Sequence, residues 1–318
     1  AELERISVGK VVSWVGFAVL GYFLLSIVGQ WSEISDALRE ANLPWLIPVL
    51  VATLLGTLGG AMSLSGCVVR PIALGEATII MFGQSFLNRF TPMNAGGMAM
   101  RIRYLQKGGT DGTVAAAAIG LTSAASGVVQ VVLLVLFLLW SSSDATEGLT
   151  SGGGDGPDLT IVIVFAVAVV VAILVVALTP KFRHWLVSFL RSTLEKIKRD
   201  FGELSRRPSK LGLLFGGATL GKLCTIVAFI SSCRAFDIGL SFATLGALYM
   251  LANTVASTVP TPGGVGAIEA ALVFVLVNAG VDDATAWAAV LVFRLINYWF
   301  PTIPGYLALR ASERRDLI

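Results

Sequence analysis

The chain has 318 residues, 55% of them hydrophobic and only 14% charged, with a formal net charge of +3 and a mean hydropathy of +0.81. Soluble chains carry about 25% charged residues, so this composition excludes a soluble enzyme or a nucleic-acid-binding module and calls for a polytopic, all-α membrane protein. Cys67, Cys224 and Cys233 fall in or beside apolar runs at spacings that suit neither zinc nor a disulfide framework, and the single histidine, His184, stands in a basic stretch. Metal- and histidine-based catalysis therefore has little to work with, and no cofactor is expected.

Crossing about 30 Å of hydrocarbon takes roughly 20 apolar residues. Residues 11–28, 45–68, 113–140, 159–179, 211–233 and 284–309 qualify, giving six full transmembrane helices, the last expected to bend at Pro301 and Pro304. The first run follows a charged start, but Gly29-Gln30-Trp31 reads as a membrane interface rather than a signal-peptide cleavage site. Two further apolar stretches are interrupted. Residues 77–90 break at TPMNAGG and resume as 98–106; residues 242–259 break at PTPGGVG and resume as 267–278. Prolines and glycines at membrane depth are tolerated only where the freed backbone is buried in protein or lines a wet cavity.

Charge placement sets the orientation. Segment 180–210 holds nine Lys/Arg against three acids, which places it in the cytoplasm, and its pattern FRHWLVSFLRSTLEKIKRDF predicts an amphipathic helix at 181–210 that binds anionic membrane lipids. The Gly/Ser-rich stretch 141–158 has four acids and no Lys or Arg, predicting an outward loop. The tail 311–318 returns inside, so both termini are expected on the cytoplasmic side. These assignments agree only if each broken segment, 77–106 and 242–278, enters and leaves from one side, as a re-entrant loop or as a hairpin.

The two breaks resemble each other. One reads TPMNAGG, a short helix, then GGTDGTVAAA; the other reads TPGGVG, a short helix, then AGVDDATAWA. Each follows two spanning segments, so the chain divides into units 1–140 and 159–310 of opposite orientation. Paired Gly/Pro-interrupted segments in corresponding halves point to an inverted-repeat transporter with its site near the midplane.

Intramembrane charges name the candidate site, because burial at this depth is costly without a ligand or partner. Lys222 lies mid-way along 211–233, Arg294 lies within AVLVFRLINYWF with Asn297 and Tyr298 after it, and Glu269 follows Pro262, Gly263 and Gly264 of the second break. Arg89 precedes the first break and Arg101 follows it. A half-helix starting after Gly263-Gly264 presents free N–H groups and a positive dipole end. An anionic group held with Lys222 and Arg294, or a cationic head group held by Glu269, would each fit; the residues leave both open.

PTPGGVGAIEAALV followed by FRLINYWFPTIPG, with GGMAMRIRYLQKGG earlier, resembles the transmembrane region of lysyl-phosphatidylglycerol synthases and related stand-alone membrane proteins, from about residue 10 to 310. The first motif of that family is a Gly-acid pair followed by an arginine. Here Met98 and Ala99 stand where the acid belongs, while Arg101 matches the arginine. The resemblance implies a cytoplasmic-membrane protein of a bacterium or archaeon that moves a lipid or lipid-linked head group between leaflets. The synthases carry a fused cytosolic domain. The longest non-membrane segment here, 180–210, leaves no room for one, so synthetic chemistry is expected from a separate cytosolic or membrane transferase.

The expected function is thus a flippase whose two halves rock about a head-group site, for a glycolipid, a polyprenyl-phosphate-linked sugar or an aminoacylated phospholipid. No GxxxxGK[ST] sequence supplies an ATP site. Two alternatives stay open: a scaffold subunit that recruits a transferase through 181–210, and an intramembrane lipid-phosphate enzyme, for which SAASG at 123–127 is better explained by helix packing.

Overall fold

The computed structural model describes residues 39, 41–91, 94–150, 207–257, 259 and 263–318, with the backbone alone at Phe90 and 142–150. The expected spans 11–28 and 159–179, most of the basic stretch and Pro262 lie outside the described residues. After a short 3₁₀ turn at Leu43–Trp45, the helices are α1 (Leu46–Gly66), α2 (Leu74–Phe90), α3 (Ala95–Lys107), α4 (Gly112–Thr150), α5 (Pro208–Ala235), α6 (Phe242–Ala256), α7 (Ala267–Asn278), α8 (Asp283–Arg294) and α9 (Thr302–Arg314), the last two joined by a π-turn at Leu295–Trp299. Among the described residues, four continuous helical stretches are long and apolar enough to cross a membrane: Leu43–Gly66, Gly112–Ser141, Pro208–Ala235 and Asp283–Arg314. They match four of the six expected spans.

Both broken segments are pairs of half-helices. At a rise of 1.5 Å per residue, α2 and α3 reach about 25 and 20 Å, and α6 and α7 about 22 and 18 Å, so none covers the hydrocarbon core alone. Helix α4 runs to Thr150, beyond the expected loop boundary at residue 141. The Ser/Ala/Glu stretch there tolerates a helix, and the glycine run begins only at residue 152.

The most intimate helix pair is α1 with α5, and glycine makes it possible. A Cβ on Gly59 would lie 2.6 Å from the amide nitrogen of Gly221, and one on Gly217 2.5 Å from the carbonyl oxygen of Gly59. Small residues allow such backbone approach where lipid supplies no hydrophobic drive between helices. Gly216, the next residue along α5, faces open space. Gly217→Ala is therefore expected to cost about 2 kcal/mol through overpacking, with Gly216→Ala neutral or slightly stabilising in the same thermal-unfolding measurement. Equal effects at the two positions would contradict this crossing.

Lys210 and Arg234 secure helix ends. Lys210, counted above with the basic surface, instead donates to the carbonyls of Ser65 (2.9 Å) and Arg70 (3.0 Å) at the end of α1, where a cation complements the exposed carbonyls and the negative dipole end. Arg234 likewise donates to the carbonyls of Ile238 and Leu240 after α5.

Two buried clusters form the core. One, built on α5, α6, α7 and α8 with parts of α1 and α4, centres on Phe229, Tyr249 and Phe293, whose rings lie 5.3 to 5.9 Å apart. The other joins Leu64, Ile80, Leu105, Ile119 and Leu214. Helix α2 packs against α9, and α6 against α4. Lys107 at the end of α3 pairs with Asp316 beyond α9, and this hydrogen bond and charge hold the Asp316 carboxyl below the usual carboxylate range. The cysteines are free and buried.

Candidate functional site

The breaks meet on the π-turn. In the second break the backbone turns through Gly263, Gly264 and Gly266, with φ of +60°, +69° and +82°. Side chains other than glycine rarely adopt these angles, so the three glycines are what allow α7 to start here. Glu269 stands one turn into α7 and folds back, its Oε2 accepting from the Gly266 amide at 2.8 Å. It satisfies one of the orphan donors at its own helix start and places a negative charge at the positive dipole end.

The other oxygen of that carboxylate, Oε1, accepts from Arg294 Nε at 2.5 Å. Both partners are deeply buried, Glu269 at 1% and Arg294 at 6% exposure. Such a pair repays its desolvation only when geometry and further hydrogen bonds are good, and the Gly266 amide supplies one of those bonds.

Arg294 ends α8, and the π-turn that follows carries Asn297 and Tyr298. One extra residue in the turn re-aims these side chains, a common device at functional sites. Pro301 and Pro304 explain why it forms here: neither has an N–H to donate, and each proline ring crowds the carbonyl four residues earlier. The Tyr298 carbonyl is taken by Arg89 Nη2 from the end of α2. Arg89 also donates from Nε to Thr302 Oγ1 at 3.1 Å and from Nη1 to the Ser85 carbonyl. The Tyr298 ring is shared by two cations, with the guanidinium carbons of Arg89 and Arg294 each 4.0 Å from its centroid. Its hydroxyl lies against the Gly263 backbone, where any Cβ would collide with it, and the Asn88 carbonyl is adjacent. Asn297 donates to Thr53 Oγ1 on α1 at 3.1 Å.

Of the residues singled out in the sequence, Arg89, Gly263, Gly264, Glu269, Arg294 and Tyr298 thus come together, and Asn297 ties the same turn to α1. Lys222 and Arg101 stand apart. Lys222 makes no hydrogen bond or ion pair with any described residue. Arg101 reaches Thr122 Oγ1 at 3.4 Å and leaves Nε buried without a partner. The amide donors at the start of α7, expected to be open, are partly occupied, since Glu269 itself takes the Gly266 N–H. The start of α3 is capped by neutral groups from α2: Gly96 donates to Thr91 Oγ1 at 2.9 Å and Gly97 to Asn88 Oδ1 at 2.8 Å.

Sequence reasoning missed Gly266, Asn88 and Thr302. Gly266 carried a usable signal, an acid three residues later just ahead of an apolar helix. Thr302 and Asn88 carried none, because only the fold places them beside Arg89 and Gly97.

The cluster holds two guanidiniums, one carboxylate and a tyrosine where two helix interruptions meet. A family model described as Lysylphosphatidylglycerol synthase TM region matches residues 10–305. A UPF0104 membrane protein of Methanothermobacter thermautotrophicus is 30% identical over 97 residues, 30% of this chain and 29% of the relative. The aligned part thus spans under a third of that curated relative.

Proposed function

The chain belongs to the lysylphosphatidylglycerol synthase TM region family, and from that premise we propose that this multi-pass membrane protein is a flippase moving a polar-headed lipid between leaflets. The observation that carries the reading is the meeting of both helix breaks on Tyr298, with a buried ion pair beside it. Half-helix ends and intramembrane charges at one point are what a head-group site requires when the tails stay in lipid.

The halves 1–140 and 159–310 act as inverted repeats that rock against each other to expose this site to each leaflet in turn. Reciprocal packing supports this, with α2 on α9 and α6 on α4. So do the turns after the two half-helices. The turn after α3 lies by the end of α9 through Lys107 and Asp316, whereas the turn after α7 leads directly into the start of α8. Those positions are at opposite ends of one long helical stretch. Asp111 and Asp282 match in role, each accepting from the backbone amide of a threonine at a helix start. Aligning them places Glu269 on Met98 and Arg294 on Ser123, so only the second half holds the charged pair. That asymmetry gives one head-group site rather than two. Lys222, half-buried along α5 and without a partner among the described residues, lines the route to that site, and the basic stretch at 181–206 holds anionic lipid while a separate transferase makes the cargo.

Mass spectrometry of lipids co-purifying with the wild type and with Arg294→Ala tests the reading. One head-group class enriched over bulk membrane and lost in the variant is expected. Bulk phospholipid alone in both preparations would remove the specific site. In reconstituted vesicles, Lys222→Ala is expected to slow head-group movement at least tenfold at unchanged thermal stability; wild-type rates would take Lys222 off the route.

A further inference from the structure

We propose that the cluster at the start of α7 is an oxyanion site, so that the cargo is recognised through a phosphate group rather than through a cationic or phosphate-free sugar head group. The residues alone left the sign of the ligand open; the hydrogen-bond inventory decides it. Glu269 is the acceptor a cationic head group would need, and each of its oxygens is already engaged, Oε1 with Arg294 and Oε2 with the Gly266 amide, at 1% exposure. What remains unsatisfied is a donor set. Among the described residues, neither Arg294 Nη2 nor Tyr298 Oη, both buried atoms, has a hydrogen-bond partner. The two belong together, because the Arg294 guanidinium covers the Tyr298 ring at 4.0 Å. Buried donors left unmade are expensive, and one oxyanion can satisfy both.

Charge points the same way. Two guanidiniums, Arg89 and Arg294, face one ring, and a single carboxylate answers them. The ring quadrupole offsets part of the excess, but among the described residues one positive charge of this half-buried cluster has no carboxylate, and an anion would neutralise it. Successive glycines with positive φ at 263 and 264 form a tight backbone turn beside Tyr298, of the kind that can offer amides to an anion. The glycine turn lies against the Tyr298 hydroxyl, so the ligand enters only when this contact opens.

The identity of the cargo rests on the transport reading; the oxyanion chemistry does not, and the test separates them. Full-length protein in phosphate-free detergent is titrated with phosphatidylglycerol, with a galactosyl diacylglycerol of the same acyl chains and with a trimethylammonium lipid, and occupancy is read by native mass spectrometry. At least tenfold preference for phosphatidylglycerol is expected. Tyr298→Phe should cut that preference at least threefold without lowering thermal stability, because it removes a buried hydroxyl that has no partner to lose. Arg294→Lys, which keeps the charge facing Glu269 but loses the guanidinium fork, should cut it further. Preference for the ammonium lipid, an unchanged preference in Tyr298→Phe, or equal binding of the galactolipid together with no binding of inorganic phosphate would each overturn the oxyanion site. Inorganic phosphate is the remaining arm. Displacement of phosphatidylglycerol at millimolar phosphate is expected if the lipid phosphate occupies the site. Tight binding of phosphate with no lipid preference would keep the oxyanion site but make the free ion its ligand, and the lipid-transport reading would fall.

Discussion

Glu269→Ala is expected to destabilise the protein by about 3–5 kcal/mol, the cost of leaving a buried guanidinium without its counter-ion. The same change uncaps α7 at Gly266, so the effect should sit at the upper end of that range. Arg294→Ala leaves the carboxylate buried with only the Gly266 amide, and its cost should be comparable. The double variant loses both charges together and should be markedly less damaging than the sum of the singles, with an interaction energy of about 2 kcal/mol or more. Thermal unfolding of the four proteins in one detergent, with lipid held constant, gives the cycle. Additive effects would mean that the 2.5 Å contact between these side chains is not what holds α7 to α8. Lipid movement should be lost in both single variants, and the double should recover stability without recovering movement, since the guanidinium that faces the ligand is gone.

The second large effect is expected at Arg89. Its three nitrogens reach Thr302, the Ser85 carbonyl and the Tyr298 carbonyl, so one side chain fastens the end of α2 to the turn between α8 and α9. Arg89→Ala removes these charged hydrogen bonds and leaves the Tyr298 carbonyl unpaired, for a loss of about 2–4 kcal/mol. Arg89→Lys keeps the charge but cannot span three acceptors in a fixed fork, so it should restore less than half of that loss. If the halves rock against each other, cutting this link should change the rate of movement by tenfold or more in a vesicle assay. Unchanged movement in Arg89→Ala would show that the contact between α2 and the π-turn stays fixed during transport.

The gain in understanding differs between the two breaks, and the reason is physical. The glycine turn before Glu269 was readable because local geometry dictates it: only glycine takes the positive φ values. The bond from the Gly266 amide to Glu269 is just as local, an acid three residues into a helix reaching back to the N-cap, but those amides were expected to be free. The first break was readable as a break, but not in its capping, because the groups that satisfy Gly96 and Gly97 come from Thr91 just after α2 and from Asn88 within it. The basic count over 180–210 pointed to a surface helix, yet Lys210 turns inward to the end of α1. Composition records the charge of a lysine and not the carbonyls it will find.

By itself, then, the sequence determined the membrane class, the four long spans that the described residues contain, and the position of the two interruptions. Each of these follows from runs of transfer free energy and from the conformational limits of proline and glycine, which act within a few residues. The tertiary structure alone decided which ionisable groups meet. Lys222 and Arg294 look equivalent as isolated charges in apolar helices, but only Arg294 finds Glu269, because the π-turn and the glycine crossing of α1 with α5 fix how the helices face one another. Partner choice among buried charges depends on helix rotation and on contacts between residues far apart in the chain, such as Arg89 with Tyr298, and one-dimensional patterns carry no record of either.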